Sequence, residues 1–476
     1  DAASVDAAVV AARAALDLVF AEGELGRIDV AVGQAARAVE LARRYGQHAS
    51  AGLAGELLLA EALMTYGRIH LMQAHYDEGR RTLADGRRIV DTILQREPQN
   101  TAANGLLLGM LRGDGLLATA TNDLAGAHAA YAAIDEAWTQ RLEALITDPD
   151  ERSMALDHVV CSLADHARLF AEHGQLPVAE AAAERMRAIV REEATTELPT
   201  TVRIAAARVE IVMASVAAAA GQEDRQEQCL RECLRICDEI LARTPEHGNA
   251  MRAQAMATNS LGLLFDRRGR SQEAMQFLEQ SLDLTRRIVA ASTSVHDSQV
   301  SLAATLVNVG SLHKDAGRPA LALPLLVEAE QIARTQLALV PGSKSAEQTL
   351  FHALWFQGQV GGDLRDASLQ ADAARRIAEL RPTDGRALRI AGALYSEALG
   401  LLTDDPKVAA TEKATRRTAW EKAGMELLQQ AAAHGCTDLG YLRDHEHLRA
   451  LRALPGYDAV LRQVAANVEA AERDDR

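Results

Sequence analysis

A repeat of about 48 residues constrains the fold of this chain more than any other feature of its sequence. The segments "NSLGLLFDRRGRSQEAMQFLEQSLDL" from Asn259 and "VNVGSLHKDAGRPALALPLLVEAEQI" from Val307 align when Gly262 is placed on Gly310. The same register recurs at intervals of 45 to 52 residues, with anchor positions at 19, 67, 115, 167, 217, 262, 310 and 358. Such self-similarity is typical of stacked supersecondary units, each of which buries its apolar face against the next.

Small residues recur where two paired helices would touch. Glycines that would let the second helix approach the first closely are Gly67, Gly115, Gly262, Gly310 and Gly358. Ala274 and Ala322 take the matching place on the second helix, and Gly269 and Gly317 lie in the turn between the helices. A glycine there accepts a backbone conformation that other residues adopt only at a cost. Each repeat therefore predicts a helix, a tight turn and a second helix.

The composition favours helix throughout. Ala and Leu supply most of the apolar residues, aromatic residues make up only 3% of the chain, and there are 11 prolines. Runs such as "LPVAEAAAERMRAIVREE" consist mainly of residues that lose little entropy in a helix. Alternating β-branched and aromatic residues, which indicate strands, are scarce. We therefore predict an all-α fold.

The register resembles the tetratricopeptide repeat (TPR), which combines a small residue in the first helix, a turn glycine and an alanine in the second helix. The tryptophan of that signature is absent, and Thr258 and Leu306 stand in its place. The resemblance implies a right-handed superhelical solenoid of antiparallel helix pairs. Because a standard repeat has about 34 residues, the surplus predicts that each helix is longer by about two turns.

The repeat pattern changes after Gly385. We predict a TPR-like solenoid of about eight helix pairs over residues 1–384, and a last helix pair with a C-terminal cap over residues 385–476. The stretch "CTDLGYLRDHEHLRALRALPGYDAVLRQV" would cover the apolar face that has no next repeat.

The long repeats and the tail together resemble the region C-terminal to the catalytic domain of large bacterial serine/threonine protein kinases. Tail residues at comparable places are Asp444, Leu448, Leu451, Arg452, Tyr457 and Leu461. Kinase motifs such as a Gly-rich loop, H-R-D and D-F-G are absent from this chain. The resemblance therefore implies a regulatory or partner-binding region, and any kinase activity would belong to a domain outside this chain. The chain begins at Asp1 rather than at Met, as a fragment of a longer chain or a mature form would.

Charge and hydropathy limit the classes of partner that we expect. The formal net charge is −15, with no basic block, so nucleic acid and anionic membrane surfaces are disfavoured. No apolar run approaches the length of a membrane span. Five cysteines in a chain of this length do not indicate a disulfide scaffold. We expect a cytoplasmic, reducing compartment and no cofactor.

The stretch "CLRECLRIC" places Cys229, Cys233 and Cys237 four residues apart. This spacing allows a metal or redox site, or a packing stripe on a second helix. On a helix, Cys229 and Cys237 lie about 12 Å apart along the axis, so the three thiols do not share one ion. With residue 217 as the anchor, Cys229 takes the alanine position and Cys233 the next packing position. We predict buried thiols without a disulfide.

The first helices of TPR-like repeats line a concave groove, and the resemblance assigns inward-facing positions relative to each anchor. The candidate partner-binding residues are Arg68, Arg112, Asn259, Arg267, Lys314, His352 and Trp355. Polar groups facing a groove can hold a peptide backbone or a carboxylate. For Trp355 two interpretations stay open: packing between long helices, or an aromatic anchor for a peptide.

No catalytic motif is recognisable. His445 and His447 in "DHEHL" would point apart on a helix, "GQVGGD" follows no strand, and "PGSKS" lacks the spacing of a phosphate loop. We predict a non-catalytic scaffold that binds a protein or peptide segment, including one from its own parent chain. The alternatives are a regulatory or sensor region of a bacterial serine/threonine kinase and, third, a cysteine-based metal or redox protein.

Overall fold

The computed structural model describes residues 9–19, 28–47, 51–72, 75–192, 200–291, 296–406 and 408–474, and all regular structure in these ranges is helical. The helices of the N-terminal half are α1 (9–19), α2 (Ile28–Gly46), α3 (Gly52–Met72), α4 (Tyr76–Arg96), α5 (Thr101–Ala120), α6 (Leu124–Ala137), α7 (Glu143–Leu145), α8 (Pro149–Glu172), α9 (Leu176–Glu192), α10 (Thr200–Ala219) and α11 (Glu223–Arg243). The C-terminal half contains α12 (Gly248–Arg267), α13 (Ser271–Ala291), α14 (His296–Asp315), α15 (Pro319–Leu339), α16 (Lys344–Asp363), α17 (Ala367–Leu380), α18 (Gly385–Asp404), α19 (Ala410–Ala433), α20 (Leu439–Asp444), α21 (Arg449–Arg452) and α22 (Tyr457–Asp474).

The chain divides into two compact units, Asp1–Arg268 with Asp283–His296, and Gly269–Leu282 with Asp297–Arg476. The first unit contains the antiparallel pairs α3–α4, α5–α6, α8–α9 and α10–α11. The second contains α14–α15, α16–α17 and α18–α19. Each unit is thus a stack of TPR-like helix pairs. Most of these helices have 20 to 21 residues, which agrees with the prediction that each is longer than a standard repeat helix by about two turns. The division runs through α13 and does not test the predicted boundary between 1–384 and 385–476.

Gly67, Gly115 and Gly310 lie where paired helices pack closely, whereas Gly358 lies closest to Leu394 of α18. A Cβ placed on Gly67 would lie 2.7 Å from Cγ of Leu83, and one on Gly310 would lie 2.9 Å from Cδ2 of Leu326. At Gly115 the added atom would lie 2.5 Å from Cε1 of Tyr131. In each pair the packing residue follows the glycine by 16 positions, so the repeat in the sequence is also a repeat of contacts. Ala274 and Ala322, the small residues on the second helices, are both fully buried.

The turn between paired helices contains a residue in the left-handed conformation seven positions after the anchor. This residue is glycine at Gly174, Gly269 and Gly317, but it is Asn122 (φ 59°) and Arg365 (φ 56°) in two other repeats. Asparagine and arginine adopt this conformation at some cost, because a Cβ crowds the backbone there.

The same rule corrects one predicted anchor. Gly221 is the left-handed residue after α10 (φ 70°), so the anchor of that repeat is Ala214 and not Ala217. The alanine position of the second helix then falls on the buried Gln226, and Cys229 lies three residues further along α11. The run "ASVAAAAG" holds small residues in several registers, which is why the spacing alone chose the wrong one.

The longest interval, between anchors 115 and 167, contains a π-helical turn at Trp138–Leu142. Trp138 is buried in this turn, and the guanidinium carbon of Arg152 lies 5.4 Å from the centre of its ring. Arg152 also donates to the carbonyl oxygens of Glu143 (2.5 Å) and Ile146 (3.1 Å), which satisfies the end of α7. The interval is longer mainly because α8 has 24 residues, where α5 and α10 have 20.

The C-terminal segment packs on the last helix pair. Leu448, Leu451 and Tyr457 are buried in one apolar cluster with residues of α18 and α19. The Tyr457 hydroxyl donates to the carbonyl oxygen of Leu442 at 2.8 Å. The tail residues that carried the family resemblance are therefore largely core residues of this cap.

None of the helices in the described part of the chain is both long and apolar enough to cross a membrane.

Candidate functional site

The candidate site is built on α16, in the second unit. Ser343 caps this helix by accepting from the backbone N–H of Ala346 at 3.4 Å. Leu350 and Leu354, four residues apart, are buried and hold one face of the helix against its neighbours. This packing leaves Trp355 half-buried on a different face.

Aromatic rings form a continuous row along α16. The ring of Trp355 stacks on that of Phe356, with centroids 5.3 Å apart. On its other side, the centroids of Phe351 and His352 each lie 6.4 Å from that of Trp355. Phe351 is buried, whereas the other three rings are partly accessible. We call His352, Trp355, Phe356 and Gln359 the aromatic face.

A cation from the turn after α17 and one from α14 flank the two ends of this row. At one end, Arg381 lies over the Phe351 ring, with its guanidinium carbon 4.5 Å from the ring centre. At the other end, Nζ of Lys314 donates to the side-chain oxygen of Gln359 at 2.8 Å and lies 6.0 Å from the centre of the Phe356 ring. These contacts combine cation–π attraction with hydrogen bonding and fix the row between two positive charges.

His352 is held neutral within this arrangement. Burial lowers its pKa, and the charges of Arg381 and Arg386 lower it further. The side-chain amide of Gln348 lies 2.8 Å from Nε2 of His352 and donates to it, while its oxygen accepts from Arg381 at 2.7 Å. At neutral pH the ring therefore adds an aromatic surface rather than a charge.

The sequence-predicted groove residues fall into both units. Lys314, His352 and Trp355 lie together at the aromatic face. The other four belong to the first unit: Arg68 in α3, Arg112 in α5, and Asn259 and Arg267 in α12.

Arg112 and Arg267 each contact a side chain of the same unit. Arg112 is largely buried and pairs with Asp165 of α8 at 3.4 Å. Arg267 is exposed and donates to the side-chain oxygen of Gln226 at 3.0 Å. Arg68 and Asn259 are half-buried.

Sequence reasoning missed Phe356, Arg381 and Arg386. Phe356 immediately follows the predicted Trp355, and its stacking could not be read from helical spacing. Arg386 could have been found, because Gly392 lies 34 residues after Gly358, which is one standard repeat. A Cβ on Gly392 would lie 2.7 Å from Cδ2 of Leu428, so Gly392 also lies at a close contact of paired helices, although its packing residue follows by 36 positions.

A cleft of about 1020 Å³ lies between α9, α10 and α11 in the first unit. Its lining is rich in arginine, and these side chains other than Arg191 have carboxylate partners. Arg187 donates to both oxygens of Glu210, at 3.1 and 2.7 Å, and Arg203 donates to Glu239 at 2.7 Å. Because such charge-assisted pairs satisfy the guanidinium donors, we place the candidate partner site on the aromatic face instead.

The cysteines of α11 are buried, and none forms a disulfide. Sγ of Cys229 lies 3.6 Å from a guanidinium nitrogen of Arg187, whereas Sγ of Cys233 lies 3.9 Å from the carbonyl oxygen of Ala253. Burial raises the pKa of Cys229, and a hydrogen bond with Cys237 together with burial raises the pKa of Cys233. Cys229 and Cys233 therefore stay protonated and pack as small apolar groups.

The aromatic face is suited to binding rather than to chemistry. It offers ring surface, two flanking cations and an amide, which are groups that recognise side chains of a partner. Among the described residues, no group of three or more His, Cys, Asp or Glu side chains is arranged to hold a metal ion.

No protein-family model matches the chain, and no curated protein matches it. Among solved structures, the apo form of RapI is similar with a TM-score of 0.49 and 13% identity, over 87% of this chain and 97% of that one. The P58(IPK) TPR domain is similar with a TM-score of 0.20 and 12% identity, over 95% of this chain and 99% of that one. The helix pairs and anchor contacts described above, rather than these overall similarities, define the fold as TPR-like.

Proposed function

We propose that this chain is a non-catalytic protein-interaction scaffold, and that the aromatic face of α16 binds a segment of a partner protein. The observation that carries the proposal is the row of rings around Trp355, which lies on a helix surface and is held in place by Lys314 at one end and Arg381 at the other. An aromatic side chain in a fixed position gives up little conformational entropy when a partner covers it.

The support comes from the rigidity of the surroundings. Leu350 and Leu354 fix the helix from behind, and the hydrogen-bonded chain from Arg381 through Gln348 fixes His352. A half-buried tryptophan that is already ordered is the kind of residue that dominates binding energy at interfaces. The interpretation of Trp355 as packing between helices remains the alternative, and it predicts no binding at this surface.

The test is a selection of random 12-residue peptides displayed against the purified chain, followed by binding measurements on the enriched peptides. Trp355→Ala should weaken the binding of an enriched peptide by about 30-fold, which corresponds to a hot-spot loss of about 2 kcal/mol.

The matched control is Trp420→Ala on α19, which removes another half-buried tryptophan that lies outside the aromatic face. Binding by this variant should change by less than about twofold. Circular dichroism of both variants checks that the helices are retained. Equal affinities of the wild type and of Trp355→Ala for every enriched peptide would contradict the proposal.

The narrower alternative is that this scaffold regulates a bacterial serine/threonine kinase. It is supported by the resemblance of the tail, whose Leu448, Leu451 and Tyr457 form the C-terminal cap. The test is whether the gene encodes a kinase domain in the same chain and whether Trp355→Ala changes the activity of that kinase. A gene without a kinase domain would remove this alternative and leave the scaffold proposal intact.

A further inference from the structure

A positively charged side chain lies near each end of the aromatic face, and the uncharged ring of Trp355 lies at its centre. Arg386 of α18 and His352 of α16 occupy the same position, six residues before Gly392 and Gly358, on two helices that are in contact. The charge of Arg386 also helps to lower the pKa of His352. The Arg386 side chain is exposed, and it forms no ion pair within the part of the chain that the structure describes. At the opposite end, Lys314 is held by Gln359 at 2.8 Å. Two cations of neighbouring first helices therefore stand on either side of Trp355.

The acidic side chains near these cations decide which of them a partner carboxylate can contact. Nζ of Lys314 has three N–H donors; Gln359 at 2.8 Å and the exposed Asp315 at 2.9 Å engage two of them, which leaves one for a partner. Arg381 is different, because Glu347 accepts from it at 2.8 Å and Asp384 lies 3.6 Å away. The charges that a partner can engage are thus those of Arg386 and Lys314, and not that of Arg381.

The spacing of these cations sets the length of the partner motif. His352, beside Arg386, and Gln359, beside Lys314, are seven residues apart on α16, which is about 10 Å along the helix axis. An extended chain rises about 3.3 Å per residue and points every second side chain to the same side. Residues i, i+2 and i+4 of an extended segment therefore span about 13 Å on one side, which is enough to cover the distance of about 10 Å between the levels of His352 and Gln359 on α16.

We propose that the partner segment is extended and carries an acidic, a large apolar and an acidic side chain at positions i, i+2 and i+4. The apolar side chain covers Trp355, and the two carboxylates contact Arg386 and Lys314. This inference rests on the proposed function, since it describes the partner of the same surface. The opposite charges also explain how a chain with a net charge of −15 can attract an acidic segment locally.

The test uses three synthetic nine-residue peptides with a central tryptophan and two aspartates, two serines or two lysines at the bracketing positions. Both termini are blocked, so that only side chains supply charge. Binding to the full chain is measured by fluorescence anisotropy at low and physiological salt. We expect the aspartate peptide to bind at least tenfold more tightly than the serine peptide, and the difference to shrink as salt is raised.

Charge reversal then assigns each end. Arg386→Glu and Lys314→Glu should each abolish most of the preference for aspartate, and the double variant should prefer the lysine peptide. Lys422→Glu, on the exposed surface of α19, changes the net charge equally and should leave the preference unchanged. Equal binding of the three peptides, or an unchanged preference in Arg386→Glu, would overturn the inference.

Failure of this inference and failure of the proposed function are distinguishable. If the displayed peptides that depend on Trp355 lack bracketing acidic residues, the acidic motif is wrong and the binding surface stands. If no enriched peptide depends on Trp355, the surface itself is wrong.

Discussion

A pair of identical substitutions in α5 tests the role of the anchor glycines. Gly115 and Gly105 lie in the same helix, but their surroundings differ. A Cβ on Gly115 would lie 2.5 and 2.8 Å from two atoms of the Tyr131 ring, whereas a Cβ on Gly105 would have no heavy atom within 4 Å. Tyr131 is fully buried and its hydroxyl lies 3.3 Å from that of Thr119, so the ring has little room to move.

The expected magnitudes follow from two opposing effects. Replacing glycine by alanine inside a helix stabilises it by about 1 kcal/mol, and forcing a methyl group into a packed core costs about 1–3 kcal/mol. Gly105→Ala should therefore raise the free energy of unfolding by up to about 1 kcal/mol, because only the first effect acts. Gly115→Ala should lower it by about 1 kcal/mol, because the packing cost exceeds the gain.

The assay is urea denaturation followed by circular dichroism at 222 nm. The dependence of the free energy of unfolding on urea concentration should be the same in both variants, so that the two free energies can be compared. The difference between the two variants, about 2 kcal/mol, does not depend on the helix propensity of alanine because that effect is common to both. Equal shifts for Gly105→Ala and Gly115→Ala would refute the reasoning that the small residue is needed for helix contact.

Three further perturbations probe other parts of the structure. Glu330→Ala should destabilise the fold by about 2 kcal/mol in urea denaturation, because Arg376 loses its buried carboxylate partner and keeps only Asp372, and Gln357 loses an acceptor; a loss below about 0.5 kcal/mol would contradict this. Arg365→Gly should raise the melting temperature, with a gain of about 1 kcal/mol from relief of the left-handed backbone, and an unchanged or lower melting temperature would argue against it. Burial and the neighbouring His128 lower the pKa of His166 to about 4, whereas in the unfolded chain this side chain has its ordinary pKa of about 6.5. Between these two pH values His166 takes up a proton in the unfolded chain but not in the folded one, so the free energy of unfolding should fall as the pH is lowered through this range. His166→Asn should flatten that part of the stability profile, and an unchanged slope would exclude His166 as its cause.

The fold was predictable because its determinants are local and repeated. Gly262 and Gly310 recur with the same neighbours, and the turn glycines Gly269 and Gly317 fix the register of each pair. Several small residues follow one another at the end of α10, so more than one of them could be the anchor. The sequence pattern placed the anchor at Ala217, three residues after Ala214. The division at α13 carries no local signal and could not be predicted.

The site was predictable only in part. Trp355, His352 and Lys314 follow from positions relative to the anchors, and the structure brings these three together. Arg381 and Arg386 come from the next turn and the next helix, so their proximity depends on how α17 and α18 pack. The pairing of Arg112 with Asp165 likewise joins residues 53 positions apart, which no periodic pattern indicates.

The most direct test of the proposed partner surface is to locate a bound peptide on the protein. An aspartate-bracketed peptide would carry a photoreactive benzophenone side chain in place of its central tryptophan, and the cross-linked residue would be identified by mass spectrometry. The proposed surface predicts attachment to α16 between His352 and Gln359, and loss of that attachment in Arg386→Glu. Attachment to the cleft between α9, α10 and α11, or to scattered positions with equal yield, would contradict it.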